Sequence, residues 1–201
     1  GPVARINNCD SIATPLAEEG RKEFMALGGG EPIHVTLAYH WARMIELLHA
    51  IEAIKELLLD RDIFGDELAT RGDMAREGIG VIEAPRGTLF HHYRTNEAGL
   101  IEKSNLIVST TNNNQAMNES IRQVAERYLD GKELTEPLLN QIEVAVRAYD
   151  PCLSCATHAL GQMPLYVELM EESTGEIVDC LVRDMDGTVR KEMFSLPVGE
   201  G

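Results

Sequence analysis

Cysteine is scarce in this 201-residue chain, with only four in all. That count excludes a disulfide scaffold, and a chain this long buries enough apolar surface to need no covalent staple. Reduced thiols in a cytoplasmic setting are the expectation, so clustered cysteines read as metal or redox chemistry. Positive charge is also short: 18 Lys and Arg stand against 33 Asp and Glu, a formal net charge of −15. This excludes a general nucleic-acid binder, because phosphate contacts need clustered cations, and it argues against adhesion to anionic lipid. No apolar run approaches the roughly 20 residues of a membrane span. No basic stretch followed by an apolar one opens the chain, so nothing signals export. An initiator methionine is missing, since the chain opens Gly1-Pro2-Val3, and it is expected to be a piece of something longer.

What is present is ordinary for a folded protein: 44% hydrophobic and 25% charged residues, enough for one domain and at most two. Residues 1–30 are rich in turn formers, with one short helix expected over Leu16–Leu27 and stopped at Gly28. The strongest signal is a helical period from Ile33 to Leu59, with Val35, Ala38, Trp41, Ile45, Leu48 and Ile51 among its apolar members. Its broad apolar face predicts a central helix of a bundle, with Glu46, Glu52 and their neighbours in surface pairs along the helix. Residues 80–93 and 100–108 read as a β-hairpin about Asn96–Gly99. Helices are expected over Gln115–Leu129 and Thr135–Tyr149, with Asn112–Asn114 as a plain turn ahead of the first. The tail alternates as strands over 165–169, 177–182 and 188–190.

The chemistry-bearing segment is Asp150-Pro151-Cys152-Leu153-Ser154-Cys155-Ala156-Thr157-His158. Spacing of three places Cys152, Cys155 and His158 near one face of a helical turn. Two thiolates so spaced can chelate one soft or borderline metal ion. A redox pair shares the motif, and two small buried hydrophobes are the bland alternative. Cys9 and Cys180 are isolated, so two zinc knuckles are excluded by count.

This segment resembles the C-terminal signature of the large, catalytic subunit of nickel–iron hydrogenases. Gly1–Asn7, Tyr39-His40-Trp41-Ala42-Arg43, Glu83-Ala84-Pro85-Arg86-Gly87 and Val108–Asn113 resemble further family segments, in the family's order. The wording of Cys152–Leu165 is most similar to the cytosolic, bidirectional and methanogen-type branch. The resemblance implies a mainly α fold with a small β component (α+β), an incomplete version of that subunit's helical-bundle core. It implies that Cys152 and Cys155 are two of four thiolates on a nickel–iron centre, with Cys155 bridging to iron, whose other ligands are cyanide and carbon monoxide. His158 would bind magnesium or a similar ion. Arg86 would act over the open side of the centre, Pro85 would wall the dry pocket, and Thr110 would hydrogen-bond a cyanide. Asp150 would hold Arg86 or the cysteine loop in place.

The partners so implied are an iron–sulfur small subunit, the N-terminal part of the large subunit with the other cysteine pair, molecular hydrogen, and a maturation endopeptidase. Residues 1–158 would be the C-terminal part of the catalytic domain. Residues 159–201 would be an extension removed in maturation, and the chain alone would be inactive. The alternatives are a scaffold related to the quinone-side subunit of respiratory complex I and a simple two-thiolate metal-binding module.

Overall fold

The computed structural model describes residues 1–151, 165–184 and 186–192. They form two compact units that divide after Asn113. Both are mixed α+β, each pairing helices with a three-stranded antiparallel sheet.

The first unit opens with α1 (Pro2–Asn8), α2 (Pro15–Leu27) and α3 (Ala38–Leu59). Helix α1 lies where turn formers predict irregular chain. Gly1 caps it and Pro2 occupies its first turn, where a missing N–H is harmless. Its Val3 and Ile6 are almost fully buried with Ala17, Phe24, Ile33, Ala42 and Ile45, and that core holds the short helix in place. Phe24 meets Trp41 edge to face at 5.3 Å. A Cβ on Gly20 would already stand 3.3 Å from Ile45, so α2 and α3 approach closely there.

Helix α3 begins at Ala38, five residues later than its apolar period suggests. The Asn7 side chain explains the delay. Its amide donates to Ile33 O at 2.9 Å, and its carbonyl accepts from Ile33 N at 3.1 Å. Both backbone groups of Ile33 are thereby withdrawn from a helix, while its side chain joins the core. Glu46 and Glu52 bond outside α3 rather than along it as expected. The Glu52 carboxylate accepts from Leu16 N and Ala17 N at 3.1 and 3.0 Å, satisfying orphan amides that open α2. Thr14, the N-cap residue of α2, turns its hydroxyl to His49 Nδ1 at 2.9 Å.

Strands β1 (Glu77–Ala84), β2 (Gly87–Thr95) and β3 (Ile101–Ile107) form a meander in the order β1-β2-β3. The expected hairpin is therefore three-stranded, and Pro85 and Arg86 are the whole connection between β1 and β2. His91 and His92 are both half-buried; one meets Tyr93 Oη at 2.9 Å and the other Glu77 at 2.7 Å.

The second unit holds α4 (Asn114–Tyr128), α5 (Glu136–Ala148), β4 (Leu165–Met170), β5 (Ile177–Arg183) and β6 (Val189–Lys191). Thr135 caps α5 through Leu138 N. Leu134, Leu138, Leu139 and Ile142 bury against Leu181 of β5, flanked by Leu165, Val167 and Val189. The tail strands thus share one core with α5. The expected boundary between residues 158 and 159 lies outside the described residues.

Candidate functional site

Arg86 is carried at the tip of the β1–β2 hairpin, and the surrounding sequence fixes that tip. The Arg5 guanidinium is the main brace. It donates to both Glu46 oxygens at 2.6 and 2.7 Å, to Glu83 at 2.8 Å, and to the carbonyls of Ala84 and Pro85 at 2.8 Å each. One cation from α1 therefore ties α3 to the turn, using the fork geometry for which arginine is suited. Glu46 chiefly, and then Glu83, raise the Arg5 pKa against the opposing effect of its burial. The Thr88 hydroxyl, with Arg5, holds the Glu83 carboxyl below its usual range.

The other side of the turn packs on the 3-10 segment Ser109–Asn113. Asn113 donates to Arg86 O at 2.7 Å, and Asn112 donates to Thr88 O at 2.8 Å. These asparagines, read as a plain turn, are the fasteners of the hairpin tip. Gly87 has φ +145°, and a Cβ there would come within 2.9 Å of Ser109 O. The close approach requires glycine. Pro85, Arg86 and Thr110 are thus brought onto two packed segments. Arg86 and Thr110 are half-buried, and Pro85 is exposed.

Sequence reasoning missed Arg5, Glu46, Glu83, Asn112 and Asn113. Arg5, Glu83, Asn112 and Asn113 lie inside segments whose wording drew attention, and Glu46 is three residues beyond another. A contact between residues 41 and 78 positions apart has no local spacing to betray it.

Asp150 belongs to the second unit, at the end of α5. It has φ +49°, the only positive value on a non-glycine among the described residues. An αL residue followed by proline is a helix stop, so Asp150 and the buried Pro151 turn the chain out of α5. An aspartate in place of the usual glycine holds a conformation that costs roughly 1 kcal/mol or more. Cys152, Cys155 and His158 follow directly and lie outside the described residues.

Nickel and iron of this kind take soft thiolate donors, so the donor chemistry of Cys152 and Cys155 fits such a centre. The other two cysteines each have a local setting of their own. Cys9 closes α1 with its Sγ 3.7 Å from Ile6 O, and Cys180 is buried in β5. Among the described residues no three His, Cys, Asp or Glu come together as a metal site.

Comparison with known proteins decides the family. Residues 7–158 match the family model described as nickel-dependent hydrogenase. The chain belongs to that family. It is 52% identical over 183 residues to the NAD-reducing hydrogenase HoxS subunit beta of Cupriavidus necator, covering 89% of this chain and 37% of the relative. It is 45% identical to an iron-sulfur subunit of the F420-non-reducing hydrogenase of Archaeoglobus profundus, over 89% of this chain and 37% of that one. A crystal structure of an NAD+-reducing [NiFe]-hydrogenase in the H2-reduced state is similar at TM-score 0.72 and 56% identity, covering 79% of this chain and 35% of that one. This hydrogenase chain therefore spans 37% of the length of those two curated relatives. No helix among its described residues is long and apolar enough to cross a membrane.

Proposed function

We propose that this chain is the part of a hydrogenase large subunit that supplies half the thiolates of a nickel–iron centre, for reversible oxidation of hydrogen and reduction of protons. One observation carries the reading: the tip bearing Arg86 is locked by Arg5 on one side and by Asn113 on the other. Backbone fixed this firmly gives the Arg86 cation a set base from which to stabilise charge that develops beside it. Cys152 and Cys155 would hold the metals, with cyanide and carbon monoxide as the iron's other ligands, and His158 would hold magnesium or a similar ion. When bound, the centre supplies the Lewis acid at which hydrogen is split.

The chain's own residues do the rest. The Arg86 guanidinium would supply a positive charge beside the centre, which would stabilise charges separated there. The Thr110 hydroxyl would donate a hydrogen bond to a cyanide of the centre and so tune the metal from outside its ligand shell. Pro85, in the same turn, would wall the pocket once the remaining length of the subunit covers it. Asp150 orients the segment that carries the cysteines. The partners are the remaining length of the large subunit and an iron–sulfur small subunit, in a cytoplasmic setting. An endopeptidase removes residues 159–201 once metal is in. This boundary is supported by the family match, which ends at residue 158.

The test is Arg86→Lys in the complete enzyme. Lysine keeps the charge but loses the planar fork, so hydrogen oxidation should fall by about 100-fold while nickel content stays unchanged. Activity within twofold of wild type would remove Arg86 from the chemistry.

A further inference from the structure

Beside the apolar core that the C-terminal sheet shares with α5, one buried ion pair among the described residues joins the two. Arg183 at the end of β5 donates to the Glu143 carboxylate and to Asn140 Oδ1, both on α5. Arg183 is 5% exposed and Glu143 7%. Asp179, part-buried, accepts from Leu134 N at 2.6 Å, and two pairs lie at the periphery, Lys132 with Glu171 and Lys191 with Glu133 at 2.7 Å. Exposed pairs of this sort contribute little.

The position of Arg183 matters as much as its burial. Its partner across the β4–β5 ladder is Leu165, the first residue of β4. The two ends of the segment carrying Cys152, Cys155 and His158 are therefore both secured to α5, one by continuity and one through Arg183.

Glu143 has a second cation at hand. Its other oxygen is 2.5 Å from Arg147 one turn along α5. The Arg147 Nε is buried and has no hydrogen-bond partner among the described residues. It is a buried donor beside a carboxylate that Arg183 also holds.

We propose that Glu143 is a transferable clasp: it holds the tail sheet through Arg183 in the uncut chain and passes wholly to Arg147 when the sheet leaves. The proposal rests on the reading that residues 159–201 are removed. A buried ion pair suits this duty. It adds little net stability over an apolar contact, yet losing one partner is severe unless another cation takes over. Arg147 is that cation, so departure of the sheet strands no charge on α5. The freed Glu143 oxygen accepts from Arg147 Nε and the pair becomes bidentate. A fastening of this kind fixes the sheet's place before cutting and leaves no stranded charge on release.

The experiment uses the full-length subunit in its uncut and cut forms. A second version carries a site-specific protease sequence after His158, so the clasp is read even where the native endopeptidase leaves the chain whole. Hydrogen exchange of β5 amides is followed in the uncut chain, and dissociation of the tail after cutting is followed by native mass spectrometry. Arg183→Ala should speed β5 exchange by about tenfold or more, the size of a buried charged hydrogen bond. Arg147→Gln should leave that exchange unchanged in the uncut chain but slow tail release several-fold, because Glu143 then has no cation waiting. Exchange within twofold of wild type in Arg183→Ala would overturn the clasp. Tail release no slower in Arg147→Gln would overturn the transfer. A wild-type chain that stays whole beside the native endopeptidase, yet behaves as expected with the inserted site, would overturn only the processing reading.

Discussion

At the scale of single residues, arginines organise this protein. Arg5 braces the Arg86 turn, Arg183 fastens the tail, and Arg21 grips Glu18 with bonds of 2.7 and 2.9 Å. The Arg21 pair, helped by the Ile12 amide, pulls the Glu18 pKa down to about 2 from an ordinary 4.5. Because the folded value is the lower one, this carboxylate stabilises the fold at pH above 4.5 and loses its contribution as the pH falls through about 2. Glu18→Gln should therefore be less stable than wild type at neutral pH, with the gap closing between pH 4.5 and about 2 in urea titrations. A gap that stays constant over that range would show that Glu18 is not held as its contacts indicate.

At the scale of elements, the hairpin tip depends on backbone that only glycine permits. Gly87→Ala forces a Cβ against Ser109 O in a region of φ that side chains avoid. It should cost about 1–3 kcal/mol and displace the Ser109–Asn113 segment from the tip. A urea midpoint equal to wild type would mean that the two segments are not in contact. Much of the element plan was legible beforehand. The periods of α2, α4 and α5 and the alternation of the tail strands are local signals, and each element stands close to where its pattern lies. The failures were all nonlocal. Helix α1 exists because Val3 and Ile6 meet a core supplied by distant residues, and α3 starts late because Asn7 reaches across to Ile33. The wording of their segments singles out Arg86 and Thr110, yet nothing near them in sequence announces that Arg5 and Asn113 hold the tip.

At the scale of the whole molecule, burial and length agree. Helix α3 was expected at the centre of a bundle, but it buries only Ala42 and Ile45. Met44, Leu47, Ile51, Ile54 and Leu58 recur at alternating steps of three and four along it and are all exposed. That spacing is the seam of helix packed on helix, and apolar stripes of this size are normally covered by further protein. It belongs with the finding that this hydrogenase chain spans 37% of its curated relatives. The cysteine count has the same character. Of four thiols, Cys9 ends a helix and Cys180 packs in a strand, leaving one pair with the spacing of metal ligands. The decisive measurement is nickel content, by elemental analysis, of a subunit that carries this chain together with the remaining length found in its relatives. Wild type should retain nickel, and Cys152→Ser and Cys155→Ser should each lose it. Either variant holding as much nickel as wild type would contradict the assignment of this pair to the metal centre.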